Sequence, residues 1–181
     1  MRQPIALLVC WGIGCAGATS NASLSDFRPG DTALFDNSVD LVASPVIVEG
    51  EFGAFEQRVA RADIVASIRV QSLHSEFVKR RAAYRLTVKV KDRLKGESSK
   101  ELELRVSDDE PGHRSVEATE DQLLHEPFIA FIKWETAAGS PELVPHWHLS
   151  PDSELVRDKI DYVLRRPAPD PHTEVEVVAP R

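Results

Sequence analysis

His146-Trp147-His148 is the sharpest chemical pattern in the chain. If this run is a strand, residues two apart share a face, so both imidazoles could approach one metal ion. Two ligands do not make a selective site, and spacing places no third, although His74, His113 and His125 lie elsewhere. The plainer alternative is two solvent-facing histidines flanking a core tryptophan. Asp108-Asp109-Glu110 offers hard oxygen ligands but lacks the alternating spacing of a calcium loop, and Pro111-Gly112 after it reads as a turn. Lys79-Arg80-Arg81 could touch phosphate or acidic headgroups, and it equally fits the exposed tip of a hairpin. After Gly17 the chain has no cysteine nucleophile and no Gly-x-Ser-x-Gly, Ser-x-x-Lys, His-Glu-x-x-His, Gly-x-Gly-x-x-Gly or P-loop pattern. No side chain is therefore named as catalytic, no cofactor is implied, and the balance falls against an enzyme.

The charge and cysteine distributions narrow the function classes further. The chain has 181 residues, with 22 Lys+Arg against 29 Asp+Glu and a net charge of -7. That length fits one domain of ordinary size, and that charge argues against a nucleic-acid surface. Cys10 and Cys15 are the two cysteines, so the rest of the chain can hold neither a disulfide framework nor a thiolate metal site. Arg2 precedes a short apolar run from Pro4 to Ile13. A spanning helix needs about 20 apolar residues, so this run reads as the core of an export signal. Two other readings stay open: secretion with cleavage after Ala18 or Ala22, or an apolar N-terminus that is never cleaved.

The segment Gly12-Ile13-Gly14-Cys15 resembles the lipobox of bacterial lipoproteins. The resemblance implies cleavage before Cys15 and lipid attachment to its thiol, with the membrane as a partner. It also implies a place in the cell envelope, on the periplasmic side or surface of the outer membrane, since Ala16 rather than Asp follows Cys15. Residues 1–14 are then the signal peptide and 15–45 a flexible lipid-anchored tether, rich in Ser, Asn, Asp and Gly, with brief order around Asp40 to Val42. Arg166-Pro-Ala-Pro-Asp-Pro ends regular structure, leaving 167–181 as a Pro-rich disordered tail.

Between these ends, residues 46–166 must position whatever chemistry exists, and their dominant period is two. Phe55, Val59 and Ala62 mark a short leading helix. Ile64, Ala66, Ile68 and Val70 alternate with polar or small residues, and Tyr84, Leu86, Val88 and Val90 do so more cleanly. Ser75 to Arg81 reads as the loop between them. Leu94 to Ser99 makes a turn before Leu102, Leu104 and Val106. Phe128 to Trp134 is apolar on both faces until Lys133 and belongs at the sheet centre. Leu143, Pro145, Trp147 and Leu149 form one face of a fifth strand. A closing helix follows, with Ser150 as cap and Pro151 in its first turn. Tyr84, Leu86, Val88, Phe128, Ile132 and Trp147 are expected to face the interior.

The expected fold is mostly β, a small five-stranded antiparallel OB-like barrel with a short N-terminal and a C-terminal helix. The runs Ala62 to Val70, Tyr84 to Gly96 and Glu126 to Ile132 resemble the netrin-like or metalloproteinase-inhibitor-like barrel found in exported bacterial domains. Leu94-Lys95-Gly96 is the most recognisable element of that resemblance. The inhibitors' disulfide-clamped N-terminal cysteine has no counterpart here, so the resemblance implies the fold and not inhibition. The expected function is a non-catalytic binding or structural module on a lipid anchor, its partner an envelope protein, a peptide or a glycan. The alternative is an envelope metal-binding protein or enzyme using His146 and His148.

Overall fold

The computed structural model describes residues 26–41, 53–78, 81–137, 139 and 141–166. The leader, Cys15, Lys79, Arg80 and the tail from 167 lie outside the described residues. Eleven elements follow one another: α1 (Asp31–Leu34), β1 (Ser38–Val39), α2 (Ala54–Arg61), β2 (Ile64–Val78), β3 (Arg81–Lys95), β4 (Glu101–Ser107), α3 (His113–Ala118), α4 (Glu120–His125), β5 (Pro127–Thr136), β6 (Leu143–Pro151) and α5 (Glu154–Arg165). The strands form one sheet in the order β1-β6-β5-β2-β3-β4. All neighbours are antiparallel except β1 and β6, which pair in parallel through Ser38↔His148 and Val39↔Leu149.

The fold is mostly β, but the five-stranded antiparallel barrel is corrected to six strands in a mixed sheet that does not close. The sixth strand is β1, whose two residues are too few to show a period. It lies within the stretch expected to be tether, and that stretch is folded over residues 26–41. Leu34, Phe35 and Val39 are all buried there, Phe35 completely. The loop expected from Ser75 to Arg81 is instead the far end of a long β2–β3 hairpin, where Phe77 remains 81% exposed. That projecting end has no core beneath it, which leaves even Phe77 in solvent.

Both faces of the sheet are covered. On one, Ile64, Ala66, Ile68, Leu86, Val88, Leu104, Phe128, Ile132 and Trp147 pack with Val116 of α3 and Leu123 of α4. Tyr84 packs against this cluster while only partly buried. On the other, Val65, Ile129 and Phe131 meet Leu34 and Phe35, Val59 of α2, and Val156, Ile160 and Val163 of α5. β5 thus contributes to both cores, as its unbroken apolar run requires. Each large side chain removed from water contributes roughly 1.5–3 kcal/mol.

Polar groups set the ends of the elements. Lys95 Nζ donates to the carbonyls of Val59 (3.0 Å) and Ala60 (2.7 Å), closing the C-terminal turn of α2. Ser153, not Ser150, caps α5 by accepting from Val156 N at 3.3 Å. Ser150 is still part of β6 and buried. Gly96, at φ +74°, is forced by close approach as well as by conformation: a Cβ there would lie 2.0 Å from Asp63 O. Among the described residues no helix is long and apolar enough to cross a membrane.

Candidate functional site

β1 sits on β6 through a polar cluster. Asn37 stands in the left-handed region (φ 56°), where Asn is tolerated, and its amide joins two elements. Its Oδ1 accepts from Trp147 N at 2.9 Å, and its Nδ2 donates to Glu110 Oε1 at 2.6 Å. Next to it, Ser38 Oγ donates to Asp36 Oδ1 at 2.6 Å, and both oxygens lie 3.1 Å from His148 Nδ1. His148 Nε2 lies 3.5 Å from Asp40 Oδ2. Burial raises the Asp36 carboxyl, but hydrogen bonds with His148 and Ser38 outweigh it and hold the group below its ordinary value. Arg58 reaches over from α2, donating through Nε to Leu34 O at 2.7 Å. Burial lowers the Arg58 pKa against the opposing pull of Asp36 and Asp40.

These are the residue types of a serine hydrolase, but their roles do not fit. A nucleophilic serine bonds to the imidazole nitrogen opposite the one held by the acid. Here serine and Asp36 share Nδ1, and the hydroxyl gives its proton to the carboxylate. The cluster clamps a two-residue strand. His148 is only 4% exposed, which corrects the expectation of a solvent-facing ring.

His146 and His148 share a strand face but not a partner. His146 Nε2 lies 2.8 Å from Glu135 Oε2, and its ring rests 4.8 Å from that of Phe27. His113 stacks on Tyr84, and His125 Nδ1 meets Asp121 O at 2.7 Å. Among the described residues no group of three His, Cys, Asp or Glu side chains is placed to hold a metal ion. The acidic turn is likewise drawn apart. Asp108 accepts from Ala82 N, Asp109 pairs with Arg81, and Glu110 accepts from Ser107 N and Asn37.

A second feature lies where the sheet fails to close. A groove of about 690 Å³ separates β4 from β6, lined by Glu103, Arg105, Trp134, Glu142, Pro145 and His146 among others. Trp147 Nε1 crosses to donate to Arg105 O at 3.0 Å, and Ser107 N donates to Glu110 Oε2 at 2.5 Å. Both backbone groups point away from β3. Strand alternation then turns the N–H and C=O of Glu101 and Glu103 the same way, toward the open edge. The Glu101 carbonyl accepts there from Ser99 Oγ, so the edge offers the Glu101 N–H and both backbone groups of Glu103. On β6, the carbonyls of Trp147 and Leu149 accept from Asn37 N and Asp40 N, so Pro145 occupies an outward position beyond β1. Proline has no N–H to donate, which blunts that edge. β4 is therefore the edge that can still pair.

No protein-family model matches the chain, and no curated protein matches it. The histidine pair drew attention in the sequence, yet the groove is made by residues 40 positions apart along the chain. No local pattern marks them. Asp36, Ser38 and Asp40 likewise acquire meaning only through a strand pairing that spans 110 residues.

Proposed function

We propose that the protein is a non-catalytic binding module, anchored to an envelope membrane through Cys15, that takes an extended peptide in the groove between β4 and β6. The observation that carries the reading is the outer edge of β4, which pairs with no strand among the described residues and faces that groove. Strand addition there would use backbone hydrogen bonds for affinity and alternate side chains for specificity. Glu101 on the edge and Glu142 across it favour a peptide with basic residues, while Glu103 is already held by Arg105 at 2.7 Å and Arg85 at 3.8 Å. The likeness to netrin-like domains belongs to the same proposal, supported by the long β2–β3 hairpin and by the Leu94-Lys95-Gly96 turn that ends β3. The metal or enzyme alternative would require His146 and His148 each to leave the partners they hold.

The test uses a capped peptide alternating Lys and Val, titrated by fluorescence polarisation against the full chain. Glu103→Pro deletes an outward N–H without touching the β3 ladder, and should weaken binding at least tenfold while the thermal melt is retained. Equal binding by the variant, or hydrogen-exchange protection away from Glu101 to Arg105, sinks the groove assignment. The anchor is tested separately. Wild type should fractionate with membranes carrying added lipid mass, and Cys15→Ser should not. A soluble wild-type protein beginning near Thr19 or Ser23, without lipid mass, would replace anchoring by secretion.

A further inference from the structure

A basic groove lies on the outer side of β3, beyond the start of β4. β4 pairs with β3 only from Ala83 to Lys89, so among the described residues β3 beyond Lys89 has no outer neighbour strand. The turn closes this region by bringing Lys100 O to Val90 N at 2.9 Å. Between them is a groove of about 450 Å³ lined by Lys89, Lys91, Arg93, Ser98 and Lys100, with Asp92 its one carboxylate. Asp92 is already engaged, 3.2 Å from Arg157 Nη1. The four cations are exposed and take part in no ion pair among the described residues. Lys95, the nearest other lysine, is turned away onto the carbonyls of α2.

Two details make this more than scattered surface charge. The β2–β3 register passes from Ile68↔Val90 to Ser67↔Asp92, so Lys91 is an extra residue in β3. Such bulges re-aim side chains and recur beside functional sites. Ser98 Oγ, meanwhile, is shielded from solvent and has no hydrogen-bond partner among the described residues. A chain of net charge -7 thus places four unneutralised cations and an unused hydroxyl around one concavity.

We propose that this groove binds a phosphate group. Several formal charges converge on one small space, which matches an oxyanion carrying more than one negative oxygen better than a carboxylate. The Arg93 guanidinium supplies a planar fork of donors, the lysines supply mobile ammonium groups, and Ser98 supplies a neutral donor. The phosphate could belong to a lipid headgroup or to a soluble molecule, and the chemistry of recognition is the same.

The experiment has two arms on the full chain carrying Cys15→Ser, so that no attached lipid brings it to a bilayer. One arm measures co-sedimentation with phosphatidylglycerol vesicles against phosphatidylcholine vesicles. The other follows backbone amide shifts during titration with inorganic phosphate, using chloride at equal ionic strength as the reference. Lys91→Gln/Arg93→Gln should weaken the productive arm at least tenfold. Arg114→Gln/Arg165→Gln, which removes the same charge elsewhere, should change it less than twofold. Binding in the vesicle arm alone assigns a headgroup, and binding in the phosphate arm assigns a soluble source. Failure of both arms, or equal losses in the two variants, overturns the proposal.

Discussion

Trp147 does two jobs that would ordinarily fall to different residues. Its ring is fully buried in the larger core, and its indole N–H reaches Arg105 O on the strand at the far end of the sheet order. An aromatic with a polar edge suits such a place, where one end is apolar and the other meets backbone. Trp147→Phe keeps most of the packing and removes the donor, leaving the Arg105 carbonyl to find another partner. The expected loss is about 1–3 kcal/mol in urea melts. A change under about 0.5 kcal/mol, the scale of surface substitutions, would show that the bond holds nothing together. His148 carries the converse lesson. In the sequence it looked like half of a metal pair, whereas its buried environment of Asp36, Ser38 and Asp40 secures a strand. Residue type advertised chemistry, and tertiary position assigned a structural role.

At the level of elements, the legible parts are those where one residue period persists. β4 and the middle of β3 keep strict alternation, β5 keeps its apolar run, and α2 and α5 keep their stripes. Legibility fails where the period breaks. Register shifts at Val65/Ala66, Ser67/Ile68 and Val70/Ser72 interrupt the β2–β3 alternation, so the hairpin reads as shorter than it is. α3 and α4, of six residues each, bury one side chain apiece and show no stripe. Ser150-Pro151 looks like a helix opening, yet both residues end β6, and α5 starts at Glu154, after Asp152. Asp152 Oδ2 accepts from Ser67 Oγ at 2.6 Å, and Arg157 spans from Asp152 to Asp92, tying α5 to β2 and β3. The Arg157 hydrogen bonds, with help from Ser67 and against burial, hold the Asp152 carboxyl below 3.8. Glu56 is also held below its ordinary 4.5, where burial is outweighed by Lys159. A depressed carboxyl stabilises fully above its unfolded value, and that stabilisation is lost as pH falls through the folded one. Melts from pH 7 to pH 3 should therefore lose stability below about pH 4.5. Asp152→Asn should be less stable at pH 7 and show a shallower acid slope. An unchanged slope would remove Asp152 from the account.

The whole molecule depends on a segment that composition assigns to a linker. Residues 26–41 resemble one, with four aspartates and a Pro-Gly pair, yet Phe35 is completely buried beside α2, β5 and α5. Phe35→Ala should cost about 3–5 kcal/mol, as full truncation of a core aromatic does. A cost near zero would restore the linker reading and move the start of the folded unit back toward residue 46.

The parallel pairing of β1 with β6 also orders events in time. Ser38 meets His148 across 110 positions, so the first strand has no seat until the last strand has been made. A chain emerging from its N-terminus must carry Leu34, Phe35 and Val39 uncovered through nearly the whole of synthesis or translocation. Assembly can begin with the β2–β3 hairpin, whose contacts are local, and proceed through β4 and β5. Among the described strands, β1 docks last. Its seating on β6 thus reports that the chain has been made past Leu149.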